Sequence, residues 1–487
     1  MKTNKKKNNI KNDKINLVIK IMSYILLFMS ILSLGFIIYF DLLPVAYLIL
    51  FIAIIGVIVF GLFKLLNSRL RKWIRTLFLI PTILLIFLFA LICFYCYGTI
   101  DFFGSIFDIG IRQDYYSIYV LKDSLYNKIE DLEDKYIATH NIEDKGIEKS
   151  IDKVSKKIEF KLAEYASNSE AVESVINSEN EAVLMLNSNM DILKEDNELY
   201  SNLRPIYTFS VTTKVETLSS DKNVLKESFV LYISGIDTSG KVGAKARSDV
   251  NILVAVNPKT NKILLLNTPR DYYVNLASYN KMDKLTHAGV YGIEESVNTL
   301  SKLYNVDVDY YARLNFTTFI NVVEKLDGIT VDVPVSFCEQ TSDRKSTKQI
   351  CLKKGVQTLN GEQALALSRT RHTISGGDRG RIENQMLVLS AIIDKILSPK
   401  IIVNYTSLLN SISDSIVTNV DQKSVTRLIK NQLDENPSWS IETLSTEGTD
   451  AYKPTYSTGN QNVYVMEPKL ESVTNAKNKL KEILNTN

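Results

Sequence analysis

The first hundred residues are patterned differently from the rest. Three apolar runs, Ile21–Phe40, Leu42–Phe63 and Thr76–Ile100, contain no charged residue. Each is about 20–25 residues, enough at 1.5 Å per residue to cross a hydrocarbon core of ~30 Å. They predict three transmembrane helices. A cleaved signal peptide would instead show one shorter apolar stretch before a small-residue cleavage site. Beyond Asp101 the periods become those of a water-soluble α/β protein. Tyr115–Val120, Glu159–Tyr165 and Glu181–Leu186 read as strands, and Gly146–Ile158 and Asn168–Asn177 as helices. That alternation predicts a small α/β accessory domain over residues 105–225.

From Glu227 onward, Ser228–Ile236, Asp249–Asn257 and Lys262–Asn267 are Val/Ile/Leu-rich runs separated by short polar segments, and predict three strands. Tyr310–Asn315 and Thr330–Val335 predict two more. Helices are expected at Ile293–Leu303, Thr317–Leu326, Ile402–Ile416 and Gln422–Asn431. A longer helix is expected from about Gly380, where Ile382, Met386, Leu389, Ile393 and Leu397 recur at helical spacing. A strand-to-helix pattern from Val463 to Leu484 ends the chain. The expected fold class is α/β: a domain over residues 227–487 with a mixed sheet flanked by helices, plus the accessory domain and three N-terminal membrane helices.

Charge sharpens the first division. The whole chain has 57 Lys+Arg and 54 Asp+Glu, but residues 1–100 hold 12 and 2 of them. Lys2, Lys5, Lys6, Lys7, Lys11 and Lys14 precede the first run; Arg69, Arg71, Lys72 and Arg75 separate the second from the third. The positive-inside rule then puts residues 1–20 and the Arg69–Arg75 segment in the cytoplasm, and everything past Asp101 outside the cell membrane. The lysines suit topology and lipid headgroups, and the near-neutral total gives no support for nucleic-acid binding. Outside, a disulfide persists, and Cys338 and Cys351 bracket a polar stretch that reads as a loop. A Cys338–Cys351 bond is expected, with two free thiols as the alternative. Cys93 and Cys96 read as apolar filler in the third span.

Candidate chemistry sits at element ends. Asp237 closes the first strand of the 227–487 domain and Asp249 opens the second. If these strands pair, both carboxylates lie at one sheet edge, where two hard oxygen ligands suit Mg²⁺ (or Mn²⁺) shared with phosphate; turn-forming aspartates would look the same. Arg270 follows Pro269 at a strand exit. Arg369 and Arg371, two apart, point the same way on extended backbone. Arg381 and Gln385, four apart, share a helix face, and Gly376-Gly377-Asp378-Arg379-Gly380 leads into that helix N-terminus, a favourable place for an anion. Arginine forks match phosphate oxygens. His140 reads as inert. There is no HxxxH pair, GxSxG elbow, Walker A loop or GxGxxG, so zinc-hydrolase, serine-esterase and nucleotide-driven readings lack support.

Together, Gly235-Ile236-Asp237, Arg247-Ser248-Asp249, Pro269-Arg270-Asp271, Lys284-x-x-His287-Ala288, Leu359-Asn360-Gly361-Glu362-Gln363-Ala364-Leu365-Ala366, Arg369-x-Arg371 and Gly377-Asp378-Arg379-Gly380-Arg381 with Gln385 resemble the LytR-CpsA-Psr family of cell-envelope glycopolymer ligases. The three spans and accessory domain resemble its capsule-type branch. The resemblance implies transfer of an anionic glycopolymer, teichoic acid or capsular polysaccharide, from an undecaprenyl-pyrophosphate carrier to a peptidoglycan sugar hydroxyl. It implies that Asp237 and Asp249 hold Mg²⁺, that Arg270, Arg369, Arg371, Arg381 and Gln385 clamp the pyrophosphate, and that Asp378 is the base. Arg247, Lys284, His287 and Arg379 would contact substrate. Two positions depart from the family pattern: Asn384 stands where an arginine is usual, and Ser368 where an aromatic or aliphatic residue is. A lipid-pyrophosphate phosphatase and a non-catalytic carrier-binding protein remain alternatives. A transcription regulator does not fit, because the cytoplasmic pieces are too short for a helix-turn-helix.

Overall fold

The computed structural model describes residues 2–39, 45–107, 111–196, 198–214, 220–236, 245–342, 349–370, 378–398 and 416–486. They form two units, one of residues 1–105 with 422–435 and one of residues 106–421 with 436–487.

In the first unit, α1 (Lys2–Tyr39), α2 (Val45–Leu66), the short α3 (Lys72–Leu77) and α4 (Leu79–Phe107) follow the three apolar runs. Ile15–Ile38, Tyr47–Leu66 and Lys72–Phe94 are long and apolar enough to cross a membrane. Leu26, Val59, Leu62 and Phe89 pack as a small shared core. Most other large side chains face outward, Val57 and Phe94 among them. That is how helices sit when lipid rather than protein is to cover them. Polar links join the helices: Asn67 Nδ2 donates to Ser23 Oγ at 3.0 Å, and Arg75 donates to Asn16 Oδ1 at 2.8 Å.

The second unit opens with β1 (Ile111–Leu121), β2 (Tyr136–His140), α5 (Lys145–Ser155), β3 (Lys161–Tyr165), α6 (Asn168–Ile176), β4 (Ala182–Leu186), α7 (Asn187–Asp196) and β5 (Leu203–Lys214). Its five strands form one sheet in the order β3-β2-β4-β1-β5. Strands β2 and β5 escape the sequence pattern, because their apolar positions are interrupted by Thr139, Arg204 and Pro205.

A six-stranded mixed sheet follows, in the order β16-β11-β6-β7-β8-β17. It is built from β6 (Phe229–Ile236), β7 (Val250–Asn257), β8 (Lys262–Asn267), β11 (Tyr310–Asn315), β16 (Ile416–Thr418) and β17 (Ser440–Ser445), with the short β9 (Tyr273–Asn275) and β10 (Met282–Lys284) lying between β8 and β11 in sequence. Strand β11 runs parallel to β6, while β6 and β7 run antiparallel. The central strands are apolar on both faces, as sheets covered twice are. Val230, Tyr232, Leu253, Ala255, Leu264 and Leu266 face one core with α9 (Ile293–Tyr304), which follows α8 (Leu285–Tyr291), and with the C-terminal helix Leu470–Asn485. The alternate residues Ile252, Val254, Ile263 and Leu265 are buried on the other face. A further core joins α10 (Phe316–Lys325), α11 (Gly361–Arg369) and α12 (Asp378–Ile396) to β12 (Ile329–Val333), which pairs with β15 (Gly355–Leu359). Asn360 and Gln363 form a reciprocal capping box at the start of α11. A side chain at Gly361 would press on the Ile320 carbonyl, so glycine allows α11 to lie close on α10.

Three expectations change. The polar stretch after Cys338 is a hairpin: β13 (Phe337–Gln340) pairs with β14 (Gln349–Leu352), with Cys338 opposite Cys351. The two are disulfide-bonded with their Cα atoms 4.1 Å apart. A loop reading ignored Phe337, Ile350 and Leu352, which pack into the α10–α12 core. The expected helix Ile402–Ile416 falls outside the described residues up to 415, and Ile416 begins a strand. Arg369 is helical, as described below. Replacing Cys338 with Ser is expected to cost ~3 kcal/mol, the loop-entropy value for a ring of roughly 15 residues. A thermal melt unchanged from that of the reduced wild type, with the oxidised wild type melting higher, is the expected pattern.

Candidate functional site

The topology gathers several charged residues at one edge of the six-stranded sheet. Parallel pairing sets Asn315 of β11 beside Ile236 of β6, so both strands end there. Antiparallel pairing makes β7 start at the same edge, and the Asp249 N–H donates to the Gly235 carbonyl at 2.8 Å. Strand β8 returns to it, with Asn267 opposite Ile252, and Arg270 follows.

Arg270 reaches back to Asp249. Its Nη1 donates to Asp249 Oδ1 at 2.7 Å, and its Nε lies 3.4 Å from Asp271 Oδ2. Both side chains of the Arg270–Asp249 pair are about one-sixth exposed, 17% and 16%. Helix α8 closes one side. The Thr286 N–H donates to the Arg270 carbonyl at 2.8 Å, the Thr286 hydroxyl lies 3.4 Å from Asp249 Oδ1, and Ser248 N–H donates to the Thr286 carbonyl at 3.0 Å. Among the described residues Asp249 Oδ2 accepts no hydrogen bond.

Beneath this edge lies a residue that the sequence pattern did not single out. Arg313 points inward from β11 and is 3% exposed. It donates to the Ala246 carbonyl at 2.7 Å, the Gly289 carbonyl at 3.2 Å and Ser248 Oγ at 3.3 Å. Ser248 Oγ also shares a hydrogen bond with Ser234 Oγ at 2.8 Å. Burial lowers the pKa of this guanidinium, opposed by the fields of Tyr232 and Glu294, and arginine stays charged through such a shift. The cation therefore anchors the Ala246–Ser248 segment that presents Asp249. Gly289 has room only for hydrogen, because a Cβ would meet Ala246, Ser248 and Arg313. An arginine inside an otherwise apolar strand was the available signal.

Helices α10, α11 and α12 contribute further charge. Asn315 caps α10 by accepting from Thr318 N–H at 2.9 Å, and Phe316 is the first residue of that helix. The Arg369 guanidinium lies 5.1 Å from the Phe316 ring centroid, which places it beside the same sheet edge. Arg369 is the last residue of α11 and not on extended backbone, because the capping box and the buried Ala364-Leu365-Ala366-Leu367 run carry the helix that far. Gln385 Nε2 donates to the Ser368 carbonyl at 3.3 Å, so α12 is tied to the end of α11. Arg381, one turn earlier on α12, is 8% exposed, and Asn384 is 1% exposed. Asp237 and Arg371 lie outside the described residues, as do the side chains of Asp378 and Arg379.

Lys284 and His287 sit elsewhere around α8. Lys284 is the residue before the helix and is 7% exposed. His287 Nδ1 lies 2.7 Å from Asp283 Oδ1, and both residues are buried. Asp283 Oδ2 accepts from the Ser457 N–H at 3.0 Å and hydroxyl at 2.6 Å, and Ser457 Oγ shares a hydrogen bond with Tyr291. Asp283 and Ser457 were not foreseen, being 174 residues apart. Arg247 lies within the anchored Ala246–Ser248 segment.

The edge suits a phosphate group. No group of three or more His, Cys, Asp or Glu forms a metal cage among the described residues. A carboxylate with one uncommitted oxygen fits a Mg²⁺ that completes its shell with water and phosphate oxygens.

The chain is 39% identical over 202 residues to the polyisoprenyl-teichoic acid–peptidoglycan teichoic acid transferase TagT of Bacillus subtilis strain 168, covering 41% of this chain and 62% of that protein. It is 33% identical over 263 residues to TagV of the same strain, described as the same kind of transferase, covering 53% of this chain and 65% of that one. In both cases it spans less than two thirds of the relative's length. The crystal structure of B. subtilis TagV aligns with a TM-score of 0.46 at 32% identity, over 54% of this chain and 99% of the other. Residues 199–482 match the LytR_cpsA_psr family. That segment is more than half of the chain and contains Asp249, Arg270, Arg313, Arg369 and Arg381, so the protein belongs to the LytR_cpsA_psr family.

Proposed function

We propose that this protein transfers an anionic glycopolymer from an undecaprenyl-pyrophosphate carrier to a peptidoglycan hydroxyl, as a phosphotransferase on the outer side of the cell membrane. The observation that carries the reading is the Arg270–Asp249 pair at a sheet edge shared with Arg369. The relatives named as teichoic acid transferases support the substrate class. The basic flanks of the spans and the Cys338–Cys351 disulfide both favour an outward second unit.

In the reaction, the acceptor oxygen attacks the phosphorus that bears the polymer. The bond from that phosphorus to the bridging oxygen breaks, and polyprenyl phosphate leaves. The product is a phosphodiester between polymer and wall sugar. Negative charge builds on the phosphoryl oxygens and on the leaving group. Preorganised cations stabilise such charge, and Arg270, Arg369, Arg371, Arg381 and Gln385 would clamp the pyrophosphate. Arg247, Lys284, His287 and Arg379 would contact the rest of the substrate. Asp378 would take the hydroxyl proton. Mg²⁺ on Asp249 and Asp237 would supply charge neutralisation at the pyrophosphate. The polyprenyl tail would lie on the apolar sheet face beside α10 and α12.

The test combines labelled polymer–carrier with peptidoglycan acceptor and the full-length protein in nanodiscs. A product containing both sugars is expected; release of polymer phosphate without joining would mean water is the acceptor and would replace this reading with a phosphatase. Deleting the gene identifies the polymer as the one lost from the wall and released. Arg369→Ala is expected to lower turnover several-fold to ~10³-fold, the range for losing one charge-stabilising donor. Unchanged turnover in both Arg369→Ala and Arg371→Ala would mean that the clamp lies elsewhere.

A further inference from the structure

We infer that a pocket between the five-stranded sheet and the segments flanking Asp249 is a second binding site, which takes an acidic saccharide. It has a volume of about 340 Å³, within the range of small-ligand sites. One wall comes from β1, β5 and the start of α5, and the other from Lys245, Tyr279 and Tyr291.

The walls are pinned together. The Lys245 N–H donates to Asp114 Oδ1 at 2.9 Å, and its Nζ lies 3.7 Å from Asp144 Oδ2. Arg112 pairs with Asp114 at 3.0 Å and approaches Glu294 at 3.8 Å. Asp144 is further committed as the α5 cap, accepting from Gly146 and Ile147 N–H at 2.8 and 3.1 Å. Arg112 and Lys245 are thus already matched by Asp114, Asp144 and Glu294, while the lining adds Lys145, Lys214 and the Glu143 carboxylate. Lys145 and Lys214 are exposed, and among the described residues their ammonium groups make no ion pair or hydrogen bond. These two cations are available to an anion.

The remaining wall is aromatic. The Tyr279 and Tyr291 rings are 4.7 Å apart, and both pack against Tyr456 at 5.3 and 5.7 Å. Burial, with Asp144 beside Tyr279 and Asp283 beside Tyr291, raises both phenol pKa values, so they remain neutral rings with hydroxyls. Aromatic faces with polar tips cover the apolar face of a pyranose and bond its hydroxyls. Ammonium groups nearby suit one carboxylate or phosphate on that sugar.

Short stretches of chain link the pocket to the sheet edge. Lys245 lies four residues before Asp249, a span of at most ~14 Å. Tyr291 ends α8, the helix whose Thr286 approaches Asp249. The pocket is therefore built in part from the segments that also present Asp249. The choice of saccharide rests on the proposed transfer reaction. The shared chemistry, a polyhydroxylated unit with one anionic group, is found on the acceptor as muramic acid and on the donor as a polyol phosphate.

Titration calorimetry on the full-length protein in nanodiscs tests the assignment. The probes are a muramic-acid-containing disaccharide with free carboxylate, a glycerol-phosphate oligomer and neutral chitobiose. Saturable binding of one acidic probe is expected, weakened ~10-fold or more by Lys145→Ala with Lys214→Ala, and not matched by chitobiose. The disaccharide marks an acceptor subsite, and the oligomer a donor subsite. Tyr279→Ala should weaken the same probe, with thermal melting as the check on folding; the exposed lysine pair decides the matter if that variant unfolds. No binding of either acid, or equal binding by wild type and the lysine variant, overturns the assignment. Binding of polyprenyl pyrophosphate is measured separately. If transfer fails while acidic-saccharide binding persists and depends on the lysines, the pocket stands and the transfer reading falls.

Discussion

Asp249→Asn is expected to lower polymer transfer by ~10²–10³-fold while the protein stays folded. The variant keeps the shape of the side chain and removes its charge. It replaces the 2.7 Å ion pair with Arg270 by at most a neutral hydrogen bond, which holds the guanidinium less firmly. It also removes the charge of a carboxylate that has an uncommitted oxygen at the edge. Chelation should mimic it: adding EDTA to the wild type should depress transfer, and Mg²⁺ should restore it, whereas the variant should respond weakly to either. Wild-type turnover in Asp249→Asn would sink both the metal assignment and the use of this edge. A melt close to wild type is expected, because the pair is partly solvated and such pairs contribute little to stability.

The opposite pattern is expected at Arg313. Arg313→Met should destabilise the second unit by ~3–5 kcal/mol, the size typical for removing one partner from a buried charged network. Methionine fills much of the volume but donates no hydrogen bond. The Ala246 and Gly289 carbonyls and Ser248 Oγ then lose a donor in a place water does not reach. For a unit of roughly 370 residues each kcal/mol shifts the melting temperature by ~1.3 °C, so a drop of roughly 4–6 °C is predicted. Arg313→Lys should recover only part of it, since a single ammonium cannot reproduce the planar fork. A melt within about 2 °C of wild type would show that the segment bearing Asp249 is held by something else. Transfer by the folded fraction should also fall, because the cation positions that segment.

Much of the fold was legible as pattern. Strand β8 has the expected limits, and β6, β7 and α9 agree within a residue, because continuous Val/Ile/Leu runs and helical spacing leave few alternatives. The hairpin at Cys338 was not legible, since its strands are four residues each and polar on one face. Arg369 misled for a related reason. A two-residue spacing of arginines looks extended, but four buried residues before it and a cap at Asn360 continue the helix. The motif singled out His287, but not the network in which its ring lies against Asp283 and which Ser457 closes.

The sequence by itself determined where the membrane segments lie, that the remainder is α/β, and which arginines and aspartates stand at element ends. Those properties depend on local period, length and charge, and each is complete within a few tens of residues. Only the tertiary structure decided that Arg270 holds Asp249, that Arg313 supports the segment beneath them, and that Arg369 rests on Phe316 beside the same edge. It also decided that residues from β1, β5 and α5 meet Lys245 and Tyr279 around a pocket. These meetings depend on strand register and direction, on β11 running parallel to β6 and β7 antiparallel to it. Register is set by how whole faces bury against one another, and no single segment encodes it.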